Sequence, residues 1–332
     1  MSQHFLLSAK AKGIHLSDVF AMAERDIEVT FCALRWPDTN GDPVCPHWGC
    51  LDAYECRRPS GALRFRCKGC QKDFTVTSGT LFANHKKPLR IYLAAMVLFA
   101  NEVKGKSALA MSRDLGLSYK AAFVLLHKLR EAMAEEMKGR QIGDDHPVAE
   151  VDGAVFGGYV KPRNLRKDRV DRRLRQNQSG KRKFVVIARE RGGETLPGVF
   201  KSEHAAIQWL KHRIVKGTII HADEANAWNE LHSRYEVKRI NHEQAYSYDG
   251  ACTNWAESFF SRLRRGEIGH YHKIAGAYLL RYAQEAAWRE DHRRVSNAGH
   301  VYRIATAALG RQPSVDFCGY WQRHDVPLPV PI

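Results

Sequence analysis

Read for the spacing of its apolar positions, the chain changes character twice. The segment "KPLRIYLAAMVLFANEVKG" is apolar on nearly every side and predicts a buried helix, opened by Pro88 and closed near Gly105. "SALAMSRDLGLSYKAAFVLLHKLREAM" follows with helical periodicity broken once. Ser107 caps a short helix, Gly116 makes a turn, and Ser118 caps a second helix over roughly 118–132. Beyond "GRQIGDDHPVAEV", where glycine, aspartates and Pro147 end the helical pattern, short apolar runs take over. Strands are predicted at Val148–Val151, at "KFVVIARE" (183–190), near "PGVFKS", at "GTIIHAD" and near "YEVKRINH". Helices over "SEHAAIQWLKHRI" and "EANAWNELHSRY" lie between the later strands, and one beginning near residue 254 follows them. This alternation predicts an α/β domain with a mixed sheet.

Three parts result: residues 1–85, a helical part over 86–140, and an α/β part over 146–300. The tail 301–332 ends in the proline-rich, extended-looking "VPLPVPI". No stretch approaches ~20 uninterrupted apolar residues, which excludes a transmembrane helix. The first twenty residues lack the apolar run and cleavage site of a secretion signal, so a cytoplasmic protein is expected.

Composition changes the picture through its charge. A chain of 332 residues with 44% hydrophobic and 27% charged residues is ordinary for a soluble protein, but a formal charge of +16 is not. Eleven lysines and arginines against two aspartates fall within 160–183, between the first two predicted strands, where a projecting basic arm is expected. Such clustering favours a polyanionic partner, with double-stranded DNA or RNA ahead of a membrane surface. A run of charge is also what a solvated surface looks like, so the arm alone decides little.

Cysteine spacing adds a metal site. Five of the eight cysteines fall between 45 and 70. "CPHWGC" and "CKGC" make two knuckles, Cys45/Cys50 and Cys67/Cys70, separated by about the 15–20 residues of a zinc ribbon, here placed at about 43–80. The four-residue spacer in the first knuckle is wider than usual, which leaves His47 or Cys56 as possible replacements for one of its cysteines. The expected cofactor is one structural Zn²⁺. The helix pair after it has the outline of a helix-turn-helix, with Lys120, His127, Lys128 and Arg130 as polar contacts to a major groove; an ordinary packed helix pair has the same pattern.

Three acids complete the candidate chemistry. Asp152 stands near the end of the first strand, Asp223 ends the fourth, and Glu257 opens the following helix. Phosphodiester cleavage is served by two divalent ions about 4 Å apart, which oxygen ligands from two or three carboxylates can hold. Each acid has a local explanation too: a turn before glycines, a helix cap, and an Asn254-x-x-Glu257 capping box. The DNA-contacting candidates are Arg163, Arg166, Lys167, Arg172 and Arg173 on the arm, and Arg262, Arg264 and Arg265 after Glu257. His221, His242, His270 and His272 flank the acids.

The stretches "CPHWGC…CKGCQKDFTVTSGTLF", "VAEVDGAVFGG", "HADEANAW", "INHEQAY" and "TNWAESFFSRLRRGEIGHYHKI" together resemble the zinc-ribbon DDE transposases of bacterial insertion sequences, of the ISXO2-like domain type. The resemblance runs from about 20 to 295. It implies a ribonuclease H-like mixed-sheet catalytic domain preceded by a zinc ribbon and a helix-turn-helix. It also implies Mg²⁺ (or Mn²⁺), two ions held by Asp152, Asp223 and Glu257 as catalytic residues. Transposon ends and target DNA would be the partners, with a homodimer or higher oligomer on DNA in a bacterial, nucleoid-associated setting. Two other functions share parts of the pattern: a ribonuclease H-like nuclease or resolvase, and a non-catalytic zinc-containing DNA-binding regulator.

Overall fold

A computed structural model describes residues 4–157, 163–171, 177, 182–241, 252–274 and 276–317. The described residues form two compact units. One comprises the chain up to Glu136 together with the segment from Arg294; the other is Met137–Arg293. Among the described residues, no helix is long and apolar enough to cross a membrane.

The first unit opens with helices α1 (Leu16–Ala21) and α2 (Glu24–Arg35) and then a three-stranded antiparallel sheet. Its strands are β1 (Ala53–Arg57), β2 (Leu63–Cys67) and β3 (Asp73–Phe74). The sheet is too small to bury its own face. It rests on three rings, with Trp36 edge-on to Phe65 and Phe74 at centroid distances of 5.6 and 6.3 Å. Burying each of these side chains contributes roughly 2 kcal/mol.

Helix α3 (Leu89–Asn101) has the continuous apolar surface its sequence predicts and is buried from Leu93 to Val97. Helices α4 (Ala108–Asp114) and α5 (Tyr119–Glu135) begin at the predicted serines. Ser107 accepts the Ala110 N–H at 3.1 Å and Ser118 accepts the Ala121 N–H at 3.2 Å, each cap contributing about 1 kcal/mol. Gly116 turns between the two helices at φ +59°, where a side chain would be strained.

The second unit is built on a five-stranded mixed sheet of order β6-β5-β4-β7-β8. The strands are β4 (Val148–Phe156), β5 (Lys183–Glu190), β6 (Thr195–Phe200), β7 (Ile219–Asp223) and β8 (Glu236–Ile240). β4, β5 and β6 form an antiparallel meander, after which helix α6 (Ile207–Arg213) carries the chain across to β7, parallel to β4. The central strands are apolar on both faces, and Val185–Ala188 are fully buried. Helix α7 (Asn254–Gly266) packs on β4 and β5 and continues as a π-helical turn over Glu267–Tyr271; α8 (Leu279–Asp291) packs on β6 and α7.

Helix α9 (Asn297–Gly310) returns to the first unit, where it packs against α2, α3 and α5. Residues 301–310, expected in the tail, are thus most of a core helix. Its alanines, Ala305 and Ala308, let neighbouring helices approach closely, a packing role that low local polarity does not reveal.

Candidate functional site

The acidic site begins with register. β4 and β7 run parallel with Val148 opposite Ile219 and Val151 opposite Ala222, and their pairing stops there. Asp152 and Asp223 each follow the last paired residue, so the two strands deliver them at the same end of their shared pairing. β4 itself does not end at Asp152; it continues to Phe156 by pairing with β5 alone. The first acid therefore lies mid-strand, at the point where β7 leaves its side. The apolar run that predicted the shorter strand ends at Gly153, but backbone pairing needs no side chain there.

Both aspartates are fixed by donors. Asp152 Oδ1 accepts the Gly153 N–H at 2.7 Å. Asp223 Oδ1 accepts the Trp228 indole N–H at 2.7 Å and the Ala225 N–H at 3.2 Å. Arg239 of β8 bonds the backbone carbonyls of Asp223 and Ala225, holding the loop that leaves the strand.

Glu257 lies in the first turn of α7. The expected Asn254-x-x-Glu257 capping box is not how this helix starts, because Asn254 is already its first residue and Thr253 is the N-cap, with no side-chain capping bond. The N–H groups of Trp255 and Ala256 are taken instead by Glu150 Oε2, both at 2.9 Å. A buried carboxylate from a distant strand makes a stronger, charge-assisted acceptor than a local asparagine.

One further acid joins the group. Glu203, just after β6, lies so close to Gly153 that a Cβ there would stand 2.7 Å from Glu203 Oε1. Burial first, and then Asp223, Glu203 and Glu257, push Asp152 up to about 7, against the hydrogen bond from Gly153. Burial and Asp223 also raise Glu203. Four carboxylates thus share one field, and an anionic, oxygen-only donor set of this kind suits Mg²⁺ or Mn²⁺.

A cavity of about 540 Å³ opens beside Asp152 and Glu257. Its other wall is the same face of α7, where Ser261, Arg264 and Arg265 recur at three- and four-residue steps from Glu257, with Ile268 added from the π-helical turn. Arg264 lies over the Phe156 ring at 5.9 Å, and Arg265 donates to the Ser261 carbonyl and hydroxyl. Arg262 points elsewhere. It pairs with buried Glu290, which also receives Arg189 at 3.0 Å and Arg293 at 3.2 Å.

The remaining sequence candidates scatter. Arg163, Arg166 and Lys167 are exposed, while Arg172, Arg173 and His242 lie outside the described residues. His221, expected beside the acids, is buried; its Nδ1 accepts the Cys252 N–H at 3.3 Å. On α5, Lys120 is exposed and Lys128 half-buried, but Arg130 is only 1% exposed with its guanidinium 5.8 Å above Phe99, and His127 stacks on Phe317. These last two belong to the core and not to a DNA-facing surface. Helix α5 packs against both α4 and α9, so polar residue type misreads exposure there.

In the first unit, the sulfurs of Cys45, Cys67 and Cys70 all lie within 4.8 Å of one another. Cys45 and Cys70 are 3.7 Å apart. The Cys70 N–H points at Cys67 Sγ at 3.4 Å and lowers that thiol to about 7, while the backbone N–H groups of His47 and Trp48 offset the burial that raises Cys45. Three clustered thiols, with Cys67 held towards thiolate by an amide donor, fit Zn²⁺. Cys50 stands outside the trio, 3.6 Å from the Asp52 carbonyl and against Gly69. The Cys56 thiol is directed at the Tyr54 carbonyl, and neither it nor His47 joins the trio.

Residues 146–291, from just before β4 to the end of α8, match the family model described as "ISXO2-like transposase domain". This part of the chain is an ISXO2-like DDE transposase domain. The match takes in all four acids, the cavity and α7. No curated protein matches the chain at a significant level. A solved structure, "Crystal structure of the Mos1 Strand Transfer Complex", is similar at 13% identity, covering 65% of this chain and 81% of its own. Its TM-score of 0.22 is too low to establish a common fold.

Proposed function

We propose that the protein is a DNA transposase that binds the terminal inverted repeats of an insertion sequence and carries out metal-dependent cleavage and strand transfer at them. The observation that carries this reading is that Asp152 and Asp223 each follow the last β4–β7 pair, while Asp152 and Glu257 line a cavity that Arg264 and Arg265 also line. A mixed sheet with acids on adjacent strands and a flanking helix supports a ribonuclease H-like catalytic domain.

Asp152, Asp223 and Glu257 would hold two Mg²⁺ or Mn²⁺ ions, which supply Lewis acidity at the scissile phosphate and a more acidic attacking water or hydroxyl. The side chains do the rest. Asp152 must give up its proton to act as a ligand, and the Gly153 N–H steadies the resulting anion. Asp223 is kept in one orientation by Trp228. Arg264 and Arg265 offer guanidinium groups to the DNA backbone, with Arg264 steadied over Phe156. Water first breaks the phosphodiester to leave a 3′ hydroxyl and a 5′ phosphate. That hydroxyl then attacks a target phosphodiester, forming one P–O bond as another breaks, so neither step needs a redox partner.

In the same reading, Cys45, Cys67 and Cys70, with Cys50 as the nearest fourth thiol, hold one structural Zn²⁺. The ribbon and the α4–α5 pair read the element's ends through Lys120 and Lys128, and the basic arm adds Arg163, Arg166, Lys167, Arg172 and Arg173. Assembly on two ends requires a homodimer or higher oligomer.

The test uses purified protein with DNA carrying the element's own ends and Mg²⁺. Asp152→Asn, Asp223→Asn and Glu257→Gln are each expected to lower strand transfer by at least about 10³-fold while end binding is kept. Cleavage without joining would point to a nuclease or resolvase, and end binding without any cleavage to a regulator. Substantial transfer by any one variant overturns that residue's assignment.

A further inference from the structure

The N-cap of α7, Thr253, makes no side-chain capping bond, and acceptors for the helix's first amides come from the strands that carry the aspartates. Glu150 and His221 are opposite one another in the β4–β7 register. Side chains alternate along a strand, so each lies on the same face as the aspartate two residues further on. Glu150 is completely buried, and Oε2 accepts both the Trp255 and Ala256 N–H groups. Its Oε1 receives Arg191 at 3.3 Å and faces the Cys252 thiol at 3.7 Å. His221 Nδ1 takes the Cys252 N–H, the residue before the N-cap. The segment 252–256 is therefore fastened at three amides to two side chains. Glu257 is the next residue.

We propose that Glu150, assisted by His221, is a positioning residue that sets where Glu257 stands relative to Asp152 and Asp223. The reasoning is geometric. Two strand positions fix the helix start, and the same two strands, one alternation further, present the aspartates. A helix seated by its own Asn254 would keep its shape but would be free to shift along the sheet. A helix seated by Glu150 carries Glu257 in register with β4. Arg191, reaching over from the end of β5, keeps Glu150 in the acceptor role by pairing with its second oxygen. Arg189 extends the same fastening, donating to the Trp255 carbonyl at 3.1 Å. The consequence for metal binding rests on the function proposed above; the fastening of α7 does not.

The experiment uses full-length Glu150→Gln, Glu150→Ala and His221→Ala, with Asp152→Asn setting the background for Mn²⁺ bound elsewhere. Three quantities are read: amide hydrogen exchange at Trp255 and Ala256, Mn²⁺ affinity by electron paramagnetic resonance, and the melting temperature without divalent metal. In Glu150→Ala, exchange at the two amides is expected to rise at least about tenfold. Mn²⁺ affinity should fall about 10- to 100-fold, as for other residues that orient metal ligands. Glu150→Gln keeps one acceptor and should fall between wild type and alanine; it also serves if the alanine variant does not fold. A merely structural role would lower the melting temperature and leave Mn²⁺ affinity unchanged, and that result overturns the proposal. If exchange at Trp255 and Ala256 does not change in any variant, the fastening itself is refuted. If the wild-type protein shows no Asp152-dependent Mn²⁺ binding, the metal-site reading fails, and the exchange data alone decide whether Glu150 fixes α7.

Discussion

The thiol cluster and the carboxylate cluster are both candidate metal sites, yet they are built in opposite ways. Cys45, Cys67 and Cys70 come from 26 consecutive residues and bring three sulfurs within 4.8 Å of one another. Asp152, Asp223 and Glu257 need more than a hundred residues of chain, and among the described residues no three carboxylates gather that tightly. The difference follows from charge. Neighbouring thiols can share protons and approach closely, one lowered and another raised. Carboxylates cannot, so the fold holds them apart and the most buried of them is pushed towards its protonated form. A closed structural site can be close to its final geometry before it is filled, whereas an open reactive site stores repulsion that a cation relieves.

The largest effect should come from breaking the closed site. Cys67→Ser is expected to reduce zinc content from about one per chain to near none and to unfold the ribbon, since structural zinc contributes on the order of 10 kcal/mol. Metal analysis and the fluorescence of buried Trp36 would report it; a folded, zinc-free ribbon would contradict the comparison.

At the open site the same kind of change should do the reverse. Asp152 rises from an ordinary value of 3.8 to about 7. Its raised value means that the folded chain holds this proton longer than the unfolded chain does. Stability without divalent metal is therefore lost as pH climbs from about 4 to about 7, by about 4 kcal/mol at most. Asp152→Asn should remove that dependence and melt several degrees higher at pH 8, even though the proposed function expects it to lose transfer. An unchanged or lower melting temperature would show that the acids do not repel as described.

A subtler change tests the fourth acid. Glu203→Gln is expected to lower the Asp152 pKa, followed by carboxylate NMR, and to alter Mn²⁺ affinity by a few-fold. Gly153→Ala should destabilise by roughly 1–3 kcal/mol, because its methyl would collide with Glu203. The smallest effect belongs to the arginines. Arg264→Ala should weaken DNA binding several-fold and reduce the slope of log affinity against log salt by about one, as a single phosphate contact does. An unaltered slope would remove Arg264 from the DNA path.

Much of the fold was legible because its signals are local. Serine caps, a glycine turn, buried apolar strands and paired cysteines each announce an element without reference to the rest of the chain. Asp152 and Asp223 could be chosen for the same reason, since each adjoins an apolar run. Glu203 could not, because it stands at the start of a predicted helix, where an acid is ordinary, and acquires meaning only through Gly153. Glu150 carries no local signal of its own. Its partners, the Trp255 and Ala256 amides, are over a hundred residues away. Arg130 and His127 were misread for the converse reason: a charged or polar side chain suggests solvent, but burial is decided by elements elsewhere in the sequence.

The spread of the acids along the chain also governs when the activity can exist. Glu257 follows Asp152 by 105 residues (257 − 152), which translation at 5–20 residues per second crosses in about 5–20 s. Once Asp223 has been made, the growing polypeptide carries the basic arm and two aspartates but neither the third acid nor the helix that seats it. On the function proposed above, a product truncated between Asp223 and Glu257 would lack the third acid and could not cleave.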